Sequence, residues 1–565
     1  MSMHCDRHLL GVDLRSIPAY RFDVVVVGGG VAGGNAALHA ANAGKTVAII
    51  SKADAVTTNT NMAQGGMAAV MTEGDSFASH IEDTIKVGSG LCDLDTVERV
   101  ISGGPSAVES LLAMGASFDC LSNGTLDCSR EGGHKHARVV HAHGDATGRE
   151  IQRVINASLK ASDSITIFTN TFALDIVTAQ GEAYGLLARS SSGSIVLFTA
   201  GQIILATGGG GQLYRETTNP TIATADGVAM GFRAGCTVRD MEFFQFHPTC
   251  LYIAGAARVL ISEIVRGHGG VLRDRHGQRF MPKAHPDAEL APRDIVSRAA
   301  FRQMIQTSDT NVYLDLSEVD SDPHVLFPGI SKMCNFFGID IATDPVPVRP
   351  GAHYMIGGLL VDAQGRTTTP GVWAVGECAS SGLHGANRMG SNSLLEGMVL
   401  GEIAGRGAAK SVIKRKRRPD RLLRRTMDHP PQGIELGISD LVYSLKSLMW
   451  RQVGLERNKS ALLEAREHIS FWFDAARRLA PSEPRAWELI NMLTVASIAT
   501  EGAMKREESR GVHFRTDYLD VDEPKHSLMR PIAVDDCTIE CDIEVVPCDS
   551  RKECLQALAE HKTNK

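Results

Sequence analysis

Gly28, Gly30 and Gly33 stand at the spacing G-x-G-x-x-G, directly behind the apolar run DVVVV that ends at Val27. At that spacing the first glycine permits a tight turn, the second lets backbone approach a pyrophosphate, and the third lets a helix pack close against a strand. Free N–H groups and the positive dipole at the start of that helix then hold phosphate. The chemistry predicted is dinucleotide binding. The elements that must position it are legible on both sides: DVVVV as a buried parallel strand, NAALHAANAG as a helix closed by Gly44, and KTVAII, Lys45 to Ile50, as a second strand. That strand runs into Ser51-Lys52, where many dinucleotide folds carry an acid for ribose hydroxyls. Lys52 reads either as a reach toward phosphate or hydroxyl or as a solvated surface charge.

Two later runs repeat the pattern of strand then glycine: QIILATGGGG, Gln202 to Gly211, and GVWAVGECA, Gly371 to Ala379. Brought together, the three strand ends would surround one extended ligand. Residues 241–350 lie between them, richer in His, Arg and Pro, and read as an inserted domain. The basic run KSVIKRKRRPDRLLRR reads as a solvated linker or helix face. From about Asp440 to Glu508, Leu441, Leu445, Leu448, Leu462, Leu463, Leu489 and Leu493 recur at helical spacing and predict a helical bundle. The last forty-odd residues read as a separate tail. Its Cys537, Cys541, Cys548 and Cys554 lack the C-x2-C pairs of ordinary zinc sites, so no metal site is expected.

The whole composition bounds these readings. A chain of 565 residues with 43% hydrophobic and 22% charged residues is globular, with a prior of about three to four domains. Its net charge of −7 provides no general positive field for nucleic acid or an anionic membrane, so any anion site must be local. No apolar run approaches the ~18 residues of a membrane span. The opening MSMHCDRHLL lacks a secretory core, and twelve scattered cysteines fit a reducing compartment, so a cytoplasmic protein is expected.

The stretches NMAQGGMAAV, SREGGHKHARVVHAHGDATG, TTNP with ADGVAMGFRAG, EFFQFHPTCLY, ELAPRDIVSRA, AHYMIGGLLVD and GLHGANRMGSNSLLEG together resemble the L-aspartate oxidase family. That family belongs to the flavoprotein superfamily shared with the succinate dehydrogenase flavoprotein subunit and fumarate reductases. SLMWRQVGLERN and AMKREESRGVHF resemble its C-terminal domain, and the resemblance covers about residues 21 to 520. It implies an α/β fold: a Rossmann-type FAD-binding domain in two parts (21–240 and 351–410), an inserted α+β capping domain (241–350), a basic linker (411–435), a C-terminal helical bundle (436–520) and a tail of unknown role (521–565). It implies FAD held by Gly28, Gly29, Gly30, Val31, Ala32, Gly33, Lys52, Asn59, Thr60, Asn61, Met62, Ala63, Gln64, Gly65, Gly66, Thr207, Gly208, Asp226, Glu377, Ser393 and Leu394. Membrane-linked relatives attach FAD through a histidine just ahead of AQGG. Asn59 stands there in this chain and cannot form that bond, so noncovalent FAD is expected.

A four-carbon dicarboxylate brings two carboxylates, and His247, Arg266, Arg293, His353 and Arg388 are the cations and donors to meet them, arginine being the favoured bidentate clamp. In L-aspartate an ammonium must also be balanced. Glu131 in SREGGH resembles the residue that orients it, and Gln245, Ser262 and Glu263 fall in the substrate segments. Arg293 resembles the family's proton donor and acceptor, a role difficult for a guanidinium acting as base, and is assigned orientation, charge stabilisation and proton relay. His247 and Arg266 complete the catalytic set. The expected function is oxidation of L-aspartate to iminoaspartate with hydride transfer to FAD and oxygen or fumarate as acceptor, the first step toward quinolinate and NAD, with quinolinate synthase as a further partner. A soluble fumarate reductase or succinate oxidase is the alternative, disfavoured by REGGH. A subunit of a membrane electron-transfer complex and a noncatalytic FAD-binding protein are weaker readings.

Overall fold

The computed structural model describes residues 4–253, 258–319, 321–412, 422–423, 437–478, 483–534 and 537–548. At its centre is a five-stranded parallel sheet built from β1 (Val24–Val27), β2 (Val47–Ile50), β3 (Ile165–Phe168), β4 (Gln202–Leu205) and β5 (Val372–Ala374), in the order β5-β4-β1-β2-β3. Val24, Val25 and Val26 are fully buried, as β-branched residues covered on both faces of a sheet must be. The three glycine-terminated strands are thus adjacent, β4 pairing with both β1 and β5.

Helix α1 (Val31–Asn42) begins inside the glycine motif, four residues before the start read from sequence. It packs on the helix Asn392–Lys410, where the backbones touch because side chains are missing. A Cβ on Gly401 would lie 2.7 Å from the Ala32 carbonyl oxygen, and one on Gly405 2.3 Å from that of Ala36.

The inserted region is a four-stranded sheet, with Phe244–Leu251 paired to Val346–Met355, then Val312–Asp315, then Val271–Arg273. Helix α2 (Arg293–Thr307) packs beside it, and Leu251, Val265, Leu272, Val296, Leu314 and Val348 form its core. The expected boundary at residue 350 falls within the Val346–Met355 strand, which runs from this sheet into the dinucleotide domain. Pairing of Gln245 with Tyr354 and of His247 with Gly351 brings the EFFQFHPTCLY and AHYMIGGLLVD motifs onto one ladder.

The bundle is present as Ile438–Gln452, Lys459–Arg478 and α3 (Pro484–Lys505). Most of the basic linker lies outside the described residues. The expectation of a separate tail is corrected: Lys525–Ala533 and Thr538–Pro547 form a hairpin that completes a six-stranded sheet with His4–Asp6, Val238–Arg239, Gly358–Leu360 and Ala379–Ser380. The alternation of Ile539, Cys541, Ile543 and Val545 was the available signal. Cys554 lies outside the described residues. Among those described, no group of three or more His, Cys, Asp or Glu could hold a metal ion, and no helix is long and apolar enough to cross a membrane.

Candidate active site

The segments that follow β1, β4 and β5 open onto a cavity of about 580 Å³. One half is a backbone cradle. Gly28 has φ +108°, and a Cβ there would meet the Ala206 carbonyl oxygen at 2.1 Å; at Gly66 it would lie 2.3 Å from the Val140 carbonyl oxygen. Only glycine leaves room at either place. Helix α1 starts at this wall with no side-chain cap, and its Val31 N–H donates to Thr60 Oγ1 at 3.0 Å. Lys52, read either as phosphate-seeking or as solvated, is neither free nor solvated. Its Nζ donates to Asp226 Oδ2 (2.6 Å), Glu488 Oε1 (2.7 Å) and Thr224 Oγ1 (2.7 Å). Burial opposes its charge, but Asp226 and Glu488 outweigh burial and raise its pKa. Asn491 Nδ2 secures the other Asp226 oxygen at 2.8 Å. Glu488 and Asn491 come from α3 and carried no cofactor signal in the sequence.

Glu377 follows β5 and receives the Met355 N–H on Oε1 (3.0 Å) and Asn59 Nδ2 on Oε2 (3.1 Å). Burial pushes its pKa up to about 7.

The other half is charged. Arg293 is the first residue of α2. Its Nε donates to Glu263 Oε2 at 2.6 Å and its Nη1 to Gln245 Oε1 at 3.3 Å. Behind it, Arg266 Nη2 lies 3.1 Å from Glu263 Oε1. Burial works against the Glu263 charge, yet Arg293 and Arg266 hold its pKa below the usual value. Arg388 rests 4.6 Å above the Tyr354 ring and donates from Nη2 to Ser393 Oγ at 2.6 Å, while its buried Nε and Nη1 have no partner. Burial, with Arg293 nearby, lowers it to about 10, so it remains charged at neutral pH. Glu131 is buried and accepts from Ser391 Oγ at 2.7 Å, its pKa raised by burial. At Gly390 a Cβ would sit 2.8 Å from Glu131 Oε2 and 2.9 Å from Arg293 Nη2, so this glycine keeps acid and guanidinium close.

His247 and His353 stack edge to face, 5.2 Å between ring centres. Burial first, then the surrounding arginines, hold both well below the ordinary histidine pKa, so both are neutral hydrogen-bonding groups. Thr249 N–H donates to His247 Nδ1 at 3.3 Å, which places the His247 proton on Nε2. His353 Nδ1 pairs with Thr218 Oγ1 at 2.9 Å.

Of the residues expected from sequence, Glu131, His247, Ser262, Glu263, Arg293, His353 and Arg388 line the same cavity as Gly28, Lys52, Asn59, Gln64, Thr207, Asp226, Glu377 and Ser393. Three expected residues do not reach it. Gly33 is packing only: a Cβ there would collide with the Gly28 carbonyl oxygen at 2.1 Å. Gln245 is fully buried and gives Nε2 to Asn387 Oδ1 and to the Arg388 carbonyl, at 2.9 and 2.7 Å. Arg266 is shut behind Glu263, with its Nη1 on the Glu289 carbonyl. Both contact other residues of the chain rather than the cavity, a distinction that residue type cannot disclose. Ser391, Tyr354, Glu488 and Asn491 were missed.

The cradle fits a flavin dinucleotide: backbone approach at Gly28 and Gly66, a helix start, and the buried, unpartnered Gln64 Oε1 all face the cavity and ask for a polar ligand.

Residues 23–394 match the family described as FAD binding domain, and residues 443–550 that of the fumarate reductase flavoprotein C-terminal region, which takes in the hairpin. The chain is 41% identical over 526 residues to L-aspartate oxidase of Streptomyces coelicolor, spanning 89% of each. To L-aspartate oxidase 1 of Ralstonia nicotianae it is 40% identical over 521 residues, 88% of this chain and 95% of that one. Among solved structures, a mutated FrdA of E. coli quinol fumarate reductase superposes with a TM-score of 0.86 at 30% identity over 94% of this chain and 97% of its own. Mycobacterium smegmatis Sdh1 in complex with UQ1 gives 0.83 at 30%, over 94% and 95%. Glycine cradle, arginine cluster and these likenesses along nine-tenths of the length agree, and the chain belongs to the L-aspartate oxidase family, FAD-dependent oxidoreductases built on the fold of the fumarate reductase flavoproteins.

Proposed function

We propose that this protein oxidises L-aspartate to iminoaspartate, with oxygen, giving hydrogen peroxide, or fumarate as the final acceptor. The observation that carries the reading is Arg388, buried with two donors unused in the wall of a cavity that the acids Glu131 and Glu263 also line. An unmatched guanidinium asks for a carboxylate, and a neighbouring acid makes room for an ammonium.

Bound FAD supplies the acceptor for the hydride that leaves Cα of the substrate. The chain's own residues hold the rest in place. Arg388 and Arg293 take the two carboxylates, with neutral His247 and His353 donating to carboxylate oxygens. Glu131 faces the ammonium, and Ser391 fixes its orientation. Glu263, hydrogen-bonded to Arg293 and ion-paired with Arg266, is the carboxylate that takes up a proton released at the amine as Arg293 relays it. Ser262 and the segment from Asn59 to Gly66 close the site around substrate and cofactor.

FAD is held noncovalently, because Asn59 offers only a carboxamide, occupied with Glu377. Acid precipitation should leave the flavin in solution. The imine product hydrolyses readily, which favours direct use by a quinolinate synthase in the cytoplasm. The test is anaerobic titration followed at the flavin bands: L-aspartate should bleach them and succinate should not. The reverse preference would favour a fumarate reductase or succinate oxidase, the reading supported by the structural likeness to fumarate reductases.

A further inference from the structure

A second set of chemically competent side chains lies away from the cavity, at the foot of the C-terminal hairpin. Cys548 Sγ is 3.3 Å from His526 Nε2, and His526 Nδ1 is 2.6 Å from Asp240 Oδ2. None of the three lines the cavity. The imidazole nitrogen facing a carboxylate carries the proton, which leaves Nε2 with a lone pair toward the thiol. Nucleophile, base and orienting acid therefore stand in a row.

The acid is firmly held. Asp240 Oδ1 accepts from Ser527 N–H at 3.0 Å and from Arg506 Nη2 at 3.3 Å, and Arg239 Nε lies 3.8 Å from Oδ2. Its φ of 58° is a left-handed conformation that a non-glycine residue keeps only when its surroundings fix it. Burial raises the Asp240 pKa, but His526 and Arg506 outweigh it and hold it at about 2. Burial lowers that of His526, and Asp240 outweighs it in turn.

The thiol is half-buried at the edge of the Leu91, Phe243, Tyr354 cluster. Other cysteines contrast with it. Cys236, Cys250 and Cys378 are fully buried, and exposed Cys120 meets only the Phe118 carbonyl.

We propose that Cys548, with His526 as its base and Asp240 orienting that base, is a reactive thiol site that takes hydroperoxides. A new S–O bond forms as the peroxide O–O bond breaks. Sulfur gives up two electrons to become a sulfenic acid, and the departing oxygen leaves as water or alcohol with the thiol proton delivered through His526. Hydrogen peroxide, the product of the oxidase reaction proposed above, is the nearest member of that class. Only the source of the oxidant rests on that reading.

The experiment uses the FAD-loaded full chain without aspartate. Hydrogen peroxide is added at limiting concentration with dimedone as sulfenic-acid trap, and adducts are mapped at each cysteine by mass spectrometry. Cys548 should be trapped roughly tenfold faster than exposed Cys120. His526→Gln, checked by flavin content and circular dichroism, should bring Cys548 down to the rate of Cys120 and leave Cys120 unchanged. Cys548→Ser should abolish that adduct with L-aspartate turnover intact. Equal rates at Cys548 and Cys120 in the native protein, or a folded His526→Gln that keeps the fast rate, would overturn the proposal. Should His526→Gln fail to fold, the native comparison decides alone. A flavin that L-aspartate fails to bleach would sink the oxidase reading and leave this result standing.

Discussion

The two ends of the cavity treat charge in opposite ways. At one end Lys52 finds three oxygens within the chain, and Asp226 is tied further by Asn491. At the other, Arg388 uses a single donor on Ser393 and keeps Nε and Nη1 buried and idle. A buried cation whose partners come from its own chain is a joint that shapes the wall. One whose partners are missing is preorganised for a ligand, because its desolvation has been met in advance of binding. The same kind of charge thus reports architecture at one end and recognition at the other.

The most damaging test of that contrast is Arg388→Leu. Loss of the clamp should lower kcat/KM for L-aspartate by about 4 kcal/mol, roughly a thousandfold, with stability and flavin content nearly unchanged. Steady-state kinetics beside thermal melting would check it, and a variant that mainly unfolds would break the distinction. Lys52→Met should behave the other way. It strands Asp226 and Glu488 as like charges and should cost about 3 to 4 kcal/mol of stability, read from urea midpoints.

Glu377 gives the contrast a pH axis. With its pKa raised from 4.5 to about 7, the folded flavin-free protein binds a proton more tightly than the unfolded chain. The penalty is absent below about pH 4.5, grows as pH rises, and is complete above about 7, where it reaches about 3 kcal/mol. Glu377→Gln should flatten that fall in urea titrations compared at pH 5.5 and 8. The smallest effect is one of selectivity. Glu131→Gln should narrow the preference for L-aspartate over succinate by about 2 kcal/mol, roughly thirtyfold, in anaerobic flavin reduction rates.

The contrast also explains what could be read beforehand. The cradle is local: Gly28, Gly30 and Gly33 and the strands and helix around them lie within one short segment, so spacing and context together predict both turn and ligand. The cationic half is assembled from five distant segments, and residues such as Arg293 and Arg388 gain meaning only through whole-chain resemblance. Residue type could not separate Arg293, which reaches the cavity, from Arg266, which is walled off behind Glu263. Pairing partners were equally silent, as Glu488 and Asn491 look like ordinary helix residues until α3 lies beside Lys52. The hairpin's place in the fold was lost because its strands draw on partners at Val238–Arg239 and His4–Asp6, remote in sequence.

Lys52 and Glu488 are 436 residues apart along the chain. A ribosome must therefore deliver most of the polypeptide before Lys52 gains its last carboxylate partner. A chain cut short ahead of Pro484 lacks Glu488 and Asn491, and leaves Lys52 to Asp226 and Thr224 alone.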